Sequence, residues 1–532
     1  MNSMLNIMRA KASLSLSVTD LVICLWYVYV LASALTCTAY PCLRTLAVAT
    51  YMLSLYIVAR IVFSISHVRD VYVVMGIILW AVYELGYGVM QLVEGSSNHH
   101  LYPMTGTFLN PGPYAASLAM GLVMLCQYRK EMGNGILIYK GVTTRHVIEG
   151  LIFCFVVILP ATWSRAGMVS AIACVGMMYW RVVKRRIWWI AGVGAVVFAV
   201  MYFVKSGSAN GRLAVNFMAV HCLTDSPVTG NGIGSFFHAY AGKTAELSAP
   251  GLMFDPKYID VLDYAFNDIM LVAVEQGLVG LGLCMALLTL AVRALLKKSH
   301  CLMYGLLALL VFSLFSYPFE LLPYQIIAVV IIAYSATADR GVRINVILPA
   351  AAAAALALIP LSYMRAKQKA EEEYGMMSGM TNRAFTNDYY ELLPWLEDNR
   401  GFLFDFGKML SQQGRYNDSN AMLRKGTLIS NDPMFYVLMG NNYKCMAHYD
   451  LAEQAYRKAF AVMPNRLYPL YKLMLLYHDA GMRDRELEMA RWVMDFKVKV
   501  KSPATEEMKE RAREIADTYP NHVNNVKNNM KD

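Results

Sequence analysis

The chain has 532 residues, of which 57% are hydrophobic and 16% are charged, with a formal net charge of +10. This much apolar side chain cannot be buried in one water-soluble core, so the composition excludes an ordinary soluble protein and indicates a membrane protein. In a membrane protein Lys and Arg mainly set the orientation of the spans, so we expect the positive charge to reflect topology and not a nucleic-acid partner.

The first two-thirds of the chain contains a series of apolar runs close to the roughly 20 residues that cross the hydrocarbon as a helix. Arg9 and Lys11 precede the first run and no cleavage site stands out after it, so we interpret that run as an uncleaved signal anchor. Eleven transmembrane helices are predicted, near residues 20–38, 45–66, 71–93, 113–128, 147–163, 166–182, 187–204, 265–292, 300–316, 324–338 and 344–364.

Basic loops between these runs predict the orientation. Four loops that are rich in Lys and Arg lie on one side if the N-terminus is inside, and this side should be cytoplasmic; they contain residues 129–145, 184–186, 293–298 and 340–343. The odd number of helices then places the C-terminal tail outside. The same count places three other segments outside, namely residues 94–112, the turn at 164–165 and the long loop 205–264.

Ionisable groups at membrane depth are costly and therefore suggest a function. Glu84, Asp268 and Glu275 lie in predicted spans. For Glu84, snorkelling to the membrane surface or pairing with a neighbouring helix is an equal alternative to a direct role. The ten cysteines show neither metal-ligand spacing nor a disulfide framework, so we interpret them as packing residues.

The tail is predicted to be a separate soluble domain. The composition becomes charged after residue 364, and residues 365–398 are interpreted as a linker and a first tail helix. Gly414, Ala447 and Gly481 then follow one another at intervals of 33 and 34 residues, a period typical of tetratricopeptide repeats. Residues 399–532 should form this domain, with helix–turn–helix units at 399–432, 433–465 and 466–498. Such repeats can bind extended peptides, although a rigid lid or dimerisation element is an alternative.

Candidate functional residues occur in three outer segments. Asn110 and Pro111 form a turn before a predicted helix, Arg165 lies where one apolar run ends and the next begins, and Arg212 opens the long loop. Further on, Gly230, Gly232 and Gly234 permit a tight turn. Two arginines can hold a pyrophosphate through paired, charge-assisted hydrogen bonds, whereas an isolated arginine is more simply an interfacial anchor.

The ordered series of these segments, followed by Phe266, Asn267 and Asp268, resembles the superfamily of O-antigen ligases, O-antigen polymerases and bacterial O-oligosaccharyltransferases over about residues 100–300. The resemblance implies a multi-spanning glycosyltransferase of the bacterial inner membrane that needs no metal or cofactor. It would take a glycan from undecaprenyl pyrophosphate on the periplasmic side. Arg165 and Arg212 match the family's phosphate-binding arginines, and we add Asn267, Asp268 and Glu275 as candidate catalytic residues.

One departure concerns acceptor activation. Many ligases and oligosaccharyltransferases have a histidine just before the asparagine, whereas this chain has Phe266. If the histidine helps to deprotonate the acceptor, another group must replace it; the candidates, none of which the sequence selects, are His221, His238, Asp263, Asp268 and Glu275. Alternatively no strong base is needed, because pyrophosphate leaves readily and the arginines stabilise its developing charge.

The superfamily leaves three acceptors open. A periplasmic repeat domain would hold a polypeptide, which favours a protein O-oligosaccharyltransferase over an O-antigen ligase acting on the lipid A core, and both over a polymerase. A transporter or assembly scaffold is the non-enzyme alternative. Many transporters show internal repeat symmetry between their two halves. This sequence shows no such symmetry, and it therefore favours an enzyme. We predict an all-α fold, with a membrane domain at 1–364 and a helical-repeat tail.

Overall fold

A computed structural model describes residues 13–37, 39–66, 68–133, 137–139, 142–186, 188, 192, 206–247, 256–337, 342–378 and 385–529. The predicted all-α class is confirmed, because the strands in this part of the chain form only two short antiparallel pairs, Ser13–Leu16 with Val342–Asn345 and Leu137–Tyr139 with Val142–Thr143. The helices, in chain order, are α1 Val18–Thr36, α2 Leu43–Ile65, α3 Asp70–Glu94, α4 Pro111–Glu131, α5 Thr144–Ala161, α6 Arg165–Met178, α7 Trp180–Val183, α8 Ser206–Asp225, α9 Phe236–Leu247, α10 Asp268–Lys298, α11 His300–Ser313, α12 Leu322–Ala336, α13 Ile347–Met377, α14 Thr386–Leu396, α15 Arg400–Gln412, α16 Tyr416–Ile429, α17 Met434–Cys445, α18 Tyr449–Val462, α19 Leu467–Asp479, α20 Arg483–Asp495 and α21 Pro503–Asn529.

The chain divides into two compact units. The membrane unit comprises residues 1–35, 45–209 and 264–361. The second unit comprises residues 36–44, 210–263 and 362–532, and we call it the outer unit after the side predicted for the long loop and the tail. The long loop is therefore grouped with the tail, a long-range association that the local sequence patterns did not predict.

The membrane unit is a multi-pass helical bundle. Six described helices are long and apolar enough to cross a membrane, namely α1, α2, α3, α5, α10 and α13. The predicted spans at 300–316 and 324–338 correspond to the shorter apolar helices α11 and α12, and the span at 113–128 corresponds to α4. The predicted span at 187–204 lies outside the described residues, apart from residues 188 and 192, so the total of eleven spans stays a prediction.

The prediction of one continuous helix at 166–182 is wrong. Helix α6 ends at Met178, and the next helical segment, Trp180–Arg186, turns away by 86°. Lys130 Nζ donates a hydrogen bond of 2.9 Å to the Met178 carbonyl oxygen and lies 5.3 Å from the centroid of the Tyr179 ring. The Lys130 ammonium satisfies a carbonyl group at the C-terminus of α6 and interacts favourably with the negative end of the helix dipole. Both effects stabilise the end of the helix at this residue.

Helix α4 lies at the centre of the membrane unit. Most of its residues are buried, and it packs against α3, α5, α6 and α11. Small residues permit these close contacts, since a side-chain carbon added at Gly121 would lie 2.6 Å from the Ala81 Cβ. Packing of small residues is a common way to join helices in a membrane, where lipid gives no hydrophobic drive for association.

A buried ion pair joins α1 to α2. The Arg60 Nε lies 2.8 Å from the Asp20 Oδ1, and the Tyr56 hydroxyl donates to the same carboxylate oxygen at 2.5 Å. Arg60 is 1% and Asp20 is 7% exposed. Charges withdrawn from water this completely are tolerated because they are paired and hydrogen-bonded.

The tail forms three helix pairs with the predicted boundaries: α15 with α16, α17 with α18, and α19 with α20. The residues that revealed the period occupy equivalent turns, because Gly414, Ala447 and Gly481 have φ values of 77°, 60° and 68°. This left-handed conformation explains why glycine is used at two of the three turns.

Residues 365–377, predicted as part of a linker, are helical. Helix α13 continues through it to Met377, supported by i,i+4 ion pairs from Lys367 to Glu371 and from Lys369 to Glu373. Helix α14 then begins at Thr386 and is the predicted first tail helix.

Candidate functional site

The entrance to α6 places Arg165 at the first helical position. The Ser164 side chain caps the helix by accepting a hydrogen bond from the Gly167 backbone N–H. The preceding residue, Trp163, has a φ of 58°, which is costly for a bulky side chain. Strain of this kind persists where the surrounding structure imposes it, often at functional sites. The helix start is therefore held in a defined and unusual conformation.

Helix α6 is fixed by tight packing just below Arg165. A side-chain carbon added at Gly167 would lie 2.8 Å from the Ala115 Cβ. One turn further on, the buried Ser170 hydroxyl donates a hydrogen bond of 2.6 Å to the Ala308 carbonyl oxygen. The half-buried Arg165 guanidinium is thus carried by a helix with little freedom to move.

The Asn110–Pro111 turn is a helix cap, as its sequence indicated. Asn110 precedes α4 and its side chain accepts from the Gly112 N–H at 2.9 Å, while Pro111 occupies the first helical position. The loop before it is held by Glu84, whose two carboxylate oxygens accept from the Thr107 N–H at 3.0 Å and the Thr107 hydroxyl at 2.7 Å. In this contact the fully buried Glu84 supports the loop.

The start of α10 holds Asn267 and Asp268 in structural hydrogen bonds. The Asn267 side chain caps the helix by accepting from the Met270 N–H at 3.1 Å. The buried Asp268 Oδ2 accepts from the Phe319 N–H at 3.1 Å. One oxygen of Asp268 is therefore already used to join α10 to a neighbouring turn.

Glu275 lies two turns into α10, next to a break. Gly277 has φ 62° and ψ −164° and interrupts the helix. Beside it, the Gln276 side-chain oxygen accepts from the Trp26 indole N–H at 2.7 Å, and the Gln276 backbone carbonyl oxygen accepts from the Tyr29 hydroxyl at 2.8 Å. Glu275 itself is half-buried. The broken helix is a local feature that the continuous apolar run had concealed.

An aromatic cluster surrounds Phe266, which stands where the resemblance implies a histidine. Phe266 has a φ of 55°, the second strained aromatic residue at the start of a helix. The centroid of its ring lies 5.6 Å from that of Tyr317 in an edge-on contact, and the Tyr264 ring stacks on Tyr317 with a centroid distance of 3.6 Å. Sequence reasoning missed Tyr317 because no spacing links it to residues 264–267.

In the outer unit, Arg212 lies near the start of α8 and is half-buried. Its carbonyl oxygen accepts from the Asn216 side chain at 3.0 Å. The far end of α8 is tied to α9, because Lys243 Nζ lies 2.8 Å from both the Asp225 and Glu246 carboxylates. Hydrogen bonds to Asp225 and then Glu246 raise the pKa of Lys243, so it stays charged and the tie persists at neutral pH.

The glycine turn is real and serves a close contact. Gly230, Gly232 and Gly234 have φ values of 77°, 100° and 81°. A side-chain carbon at Gly232 would lie 2.5 Å from the Cys37 sulfur. Both the left-handed backbone and the lack of space require glycine here.

Three candidate bases in the loop already have partners. The His221 Nδ1 lies 2.9 Å from the Phe217 carbonyl oxygen, and the His238 Nδ1 lies 2.9 Å from the Thr427 carbonyl oxygen. Asp263 forms an ion pair of 3.0 Å with Arg400. These contacts give each side chain a structural role, whether or not it also acts on a substrate.

The structure thus brings Arg165, Asn267, Asp268 and Glu275 into the membrane unit, and Arg212 into the outer unit together with His221, His238 and Asp263.

One family model matches the part of the chain that carries most of these residues. Residues 150–285 match the family model described as O-Antigen ligase. The matched segment contains both arginines and the start of α10, and it supports a glycan transferase of the O-antigen ligase and polymerase type. No curated protein matches the chain. Among solved structures, the crystal structure of MamA protein matches at 19% identity over 29% of this chain and 85% of that chain, with a TM-score of 0.20.

Proposed function

We propose that this protein transfers a glycan from a lipid pyrophosphate, of the undecaprenyl type, to an acceptor hydroxyl on the periplasmic side of a bacterial inner membrane. The observation that carries the proposal is Arg165 at the capped, tightly packed start of α6, within the segment that matches O-Antigen ligase. A cation at a helix N-terminus is unfavourable by itself, because both it and the helix end are positive. A bound pyrophosphate would satisfy both.

The reaction needs charge stabilisation more than a strong base. The acceptor oxygen attacks the anomeric carbon, the bond from that carbon to the pyrophosphate oxygen breaks, and the hydroxyl proton is released. Arg165 and Arg212 would bind the pyrophosphate and stabilise the charge that develops as it leaves. No metal or cofactor enters the proposal.

Asp268 and Glu275 are the two carboxylates that the membrane unit offers for receiving or orienting the acceptor proton, and both stay candidates. Asp268 already uses one oxygen to accept from the Phe319 N–H. Asn267 uses its side chain as a helix cap, which suits a positioning role. His221, His238 and Asp263 are the candidates in the outer unit, and each also makes the contact described above.

The tail favours a protein acceptor. Its three helix pairs have the tetratricopeptide period, and such repeats commonly bind polypeptides. We therefore favour a protein O-oligosaccharyltransferase over an O-antigen ligase acting on the lipid A core, and both over a polymerase. A transporter or scaffold has no particular need for arginine fixed at a helix start.

The decisive experiment measures transfer from a synthetic lipid pyrophosphate glycan to a serine-containing periplasmic protein. Arg165→Ala and Arg212→Ala should each lower the rate by on the order of a hundredfold, since each removes a charge-assisted clamp. Arg165→Lys should restore only part of the rate, because lysine lacks the bidentate geometry. Arg181→Ala removes an exposed arginine elsewhere and is the matched control.

The outcomes separate the alternatives. Glycoprotein formed by the wild type and by Arg181→Ala, and lost in both clamp variants, supports the protein acceptor. Modification of a lipid A core acceptor with the protein left unmodified supports the ligase. If the wild type transfers glycan from the donor to none of the acceptors, the transferase proposal is wrong and the scaffold alternative is favoured.

A further inference from the structure

Two side chains of the tail form hydrogen bonds with the backbone of another segment of the chain. We call residues 256–263, which lie in the outer unit, the strap. The Asn431 side chain accepts from the Leu262 N–H at 2.9 Å and donates to the Asp260 carbonyl oxygen at 2.8 Å. The Asn465 side chain donates to the carbonyl oxygens of Ile259 at 2.5 Å and Pro256 at 3.1 Å. Two asparagines thus pair with four backbone groups of one short segment.

The two asparagines occupy equivalent positions in the repeats. They lie 34 residues apart, each shortly after the second helix of a pair, and both are buried, with exposures of 0% and 7%. Lys499 follows after another 34 residues, and its Nζ lies 2.8 Å from the Asp260 carboxylate. The repeat period is therefore also a period of strap contacts.

The strap is anchored by side chains as well. Ile259 is 0% exposed and Leu262 is 7% exposed. Asp260 pairs with Arg466 at 3.2 Å, and Asp263 pairs with Arg400 at 3.0 Å. Exposed pairs of this kind contribute little, so the buried residues and the asparagine hydrogen bonds should account for most of the anchoring.

On its other side the strap meets the helix that carries Arg212. A side-chain carbon added at Gly211 would lie 3.6 Å from the Tyr258 carbonyl oxygen, so the strap backbone passes directly beside this turn of α8. Tyr258 lies between Pro256 and Ile259, the two residues whose carbonyls Asn465 holds. Asn465, the strap and Gly211–Arg212 therefore form a continuous series of contacts within the outer unit.

We infer that Asn431 and Asn465 are positioning residues which, through the strap, fix the turn of α8 that bears Arg212. The inference rests on the proposed function only for its catalytic consequence, because the mechanical link is independent of what Arg212 binds. In this arrangement the repeats act on the transfer reaction by holding the donor-binding arginine. The partner of this part of the tail is the chain's own strap.

The test measures hydrogen exchange and transfer kinetics on the full-length protein in detergent. In Asn431→Ala/Asn465→Ala, amides of the strap and of residues 210–216 should exchange about tenfold faster or more, while those of α17 and α19 keep their protection. The kcat for transfer should fall about tenfold, with the KM for the acceptor unchanged. Asn417→Ala, an exposed asparagine on α16, is the matched control and should change neither measurement.

Conservative substitutions sharpen the test. Asn465 uses only its amide N–H groups, so Asn465→Asp should loosen the strap as much as Asn465→Ala. Asn431→Asp keeps an oxygen that accepts from the Leu262 N–H, so it should raise strap exchange less than Asn431→Ala does.

Faster exchange in the strap without faster exchange in residues 210–216 would overturn the inference, as would unchanged strap exchange or a kcat within twofold of a transferring wild type. If the wild type transfers no glycan, the proposed function fails, while the exchange measurement still decides the mechanical link.

Discussion

At the scale of single residues, the membrane unit contains polar side chains whose position alone suggested a function. Glu84 illustrates the ambiguity. A carboxylate at membrane depth is costly, and the sequence left pairing and direct chemistry open. The structure shows that both of its oxygens accept hydrogen bonds from Thr107, in the loop that precedes the Asn110 cap. These hydrogen bonds offset part of the cost of burying the carboxylate, and they support the loop.

Glu84→Ala should destabilise the protein by about 1–3 kcal/mol, because it removes the two hydrogen bonds that join Thr107 to α3. Glu84→Gln is the matched control. Its carbonyl oxygen can still accept from the Thr107 N–H, and its amide can donate to the Thr107 hydroxyl. Thermal unfolding in detergent should therefore show a lower midpoint for Glu84→Ala and a near-normal midpoint for Glu84→Gln. Equal losses in both variants would instead indicate that the charge of Glu84 is required.

At the scale of elements, the features that position the candidate site are helix starts. Helices α6 and α10 each begin with a side-chain cap directly after an aromatic residue in the left-handed conformation, Trp163 and Phe266. In both, a polar candidate residue stands at the first helical position. Such starts need rigid helices behind them, and α6 obtains this rigidity by packing against α4.

Gly167→Ala tests that packing. The added carbon would lie 2.8 Å from the Ala115 Cβ, so α6 must shift, at a cost of about 1–3 kcal/mol. We expect a lower unfolding midpoint and a several-fold lower transfer rate, since α6 carries Arg165. Gly176→Ala, in the same helix with no atom within 4 Å, should keep both at wild-type values or slightly raise the midpoint. Identical behaviour of the two variants would show that close α4–α6 packing is unimportant.

At the scale of the whole molecule, the chain is a multi-pass membrane protein whose long loop and tail belong to one compact unit. The side of the membrane on which this unit lies is a prediction from the basic loops. It matters because a periplasmic acceptor can be held by the tail only if the tail is periplasmic.

Cys445 offers a direct measure of that side, because it is exposed on α17. In cells with a permeabilised outer membrane, a membrane-impermeant maleimide should label the wild type, and Cys445→Ser should remove one label. Labelling of Cys445 only after the inner membrane is lysed would place the tail in the cytoplasm. The argument for a protein acceptor would then fail.

The sequence by itself determined the features that depend on local periodicity and composition. Apolar runs predicted membrane helices, and a spacing of 33 to 34 residues located the three helix pairs of the tail with their boundaries. The caps at Asn110 and Asn267 were also accessible in principle, because a cap bonds a backbone group two or three residues away. In each case the interacting groups are close in the chain.

Only the tertiary structure decided which distant groups meet. The 86° turn after α6 occurs where Lys130 from α4 donates to the Met178 carbonyl oxygen, and the aromatic cluster at Phe266 includes Tyr317. The strap and its asparagines are separated by about 170 to 210 residues, so no local pattern records their contact, although their 34-residue spacing was present in the sequence. Hydrogen bonds and packing require proximity in space, and in a chain that crosses a membrane repeatedly that proximity is set by the assembled helices.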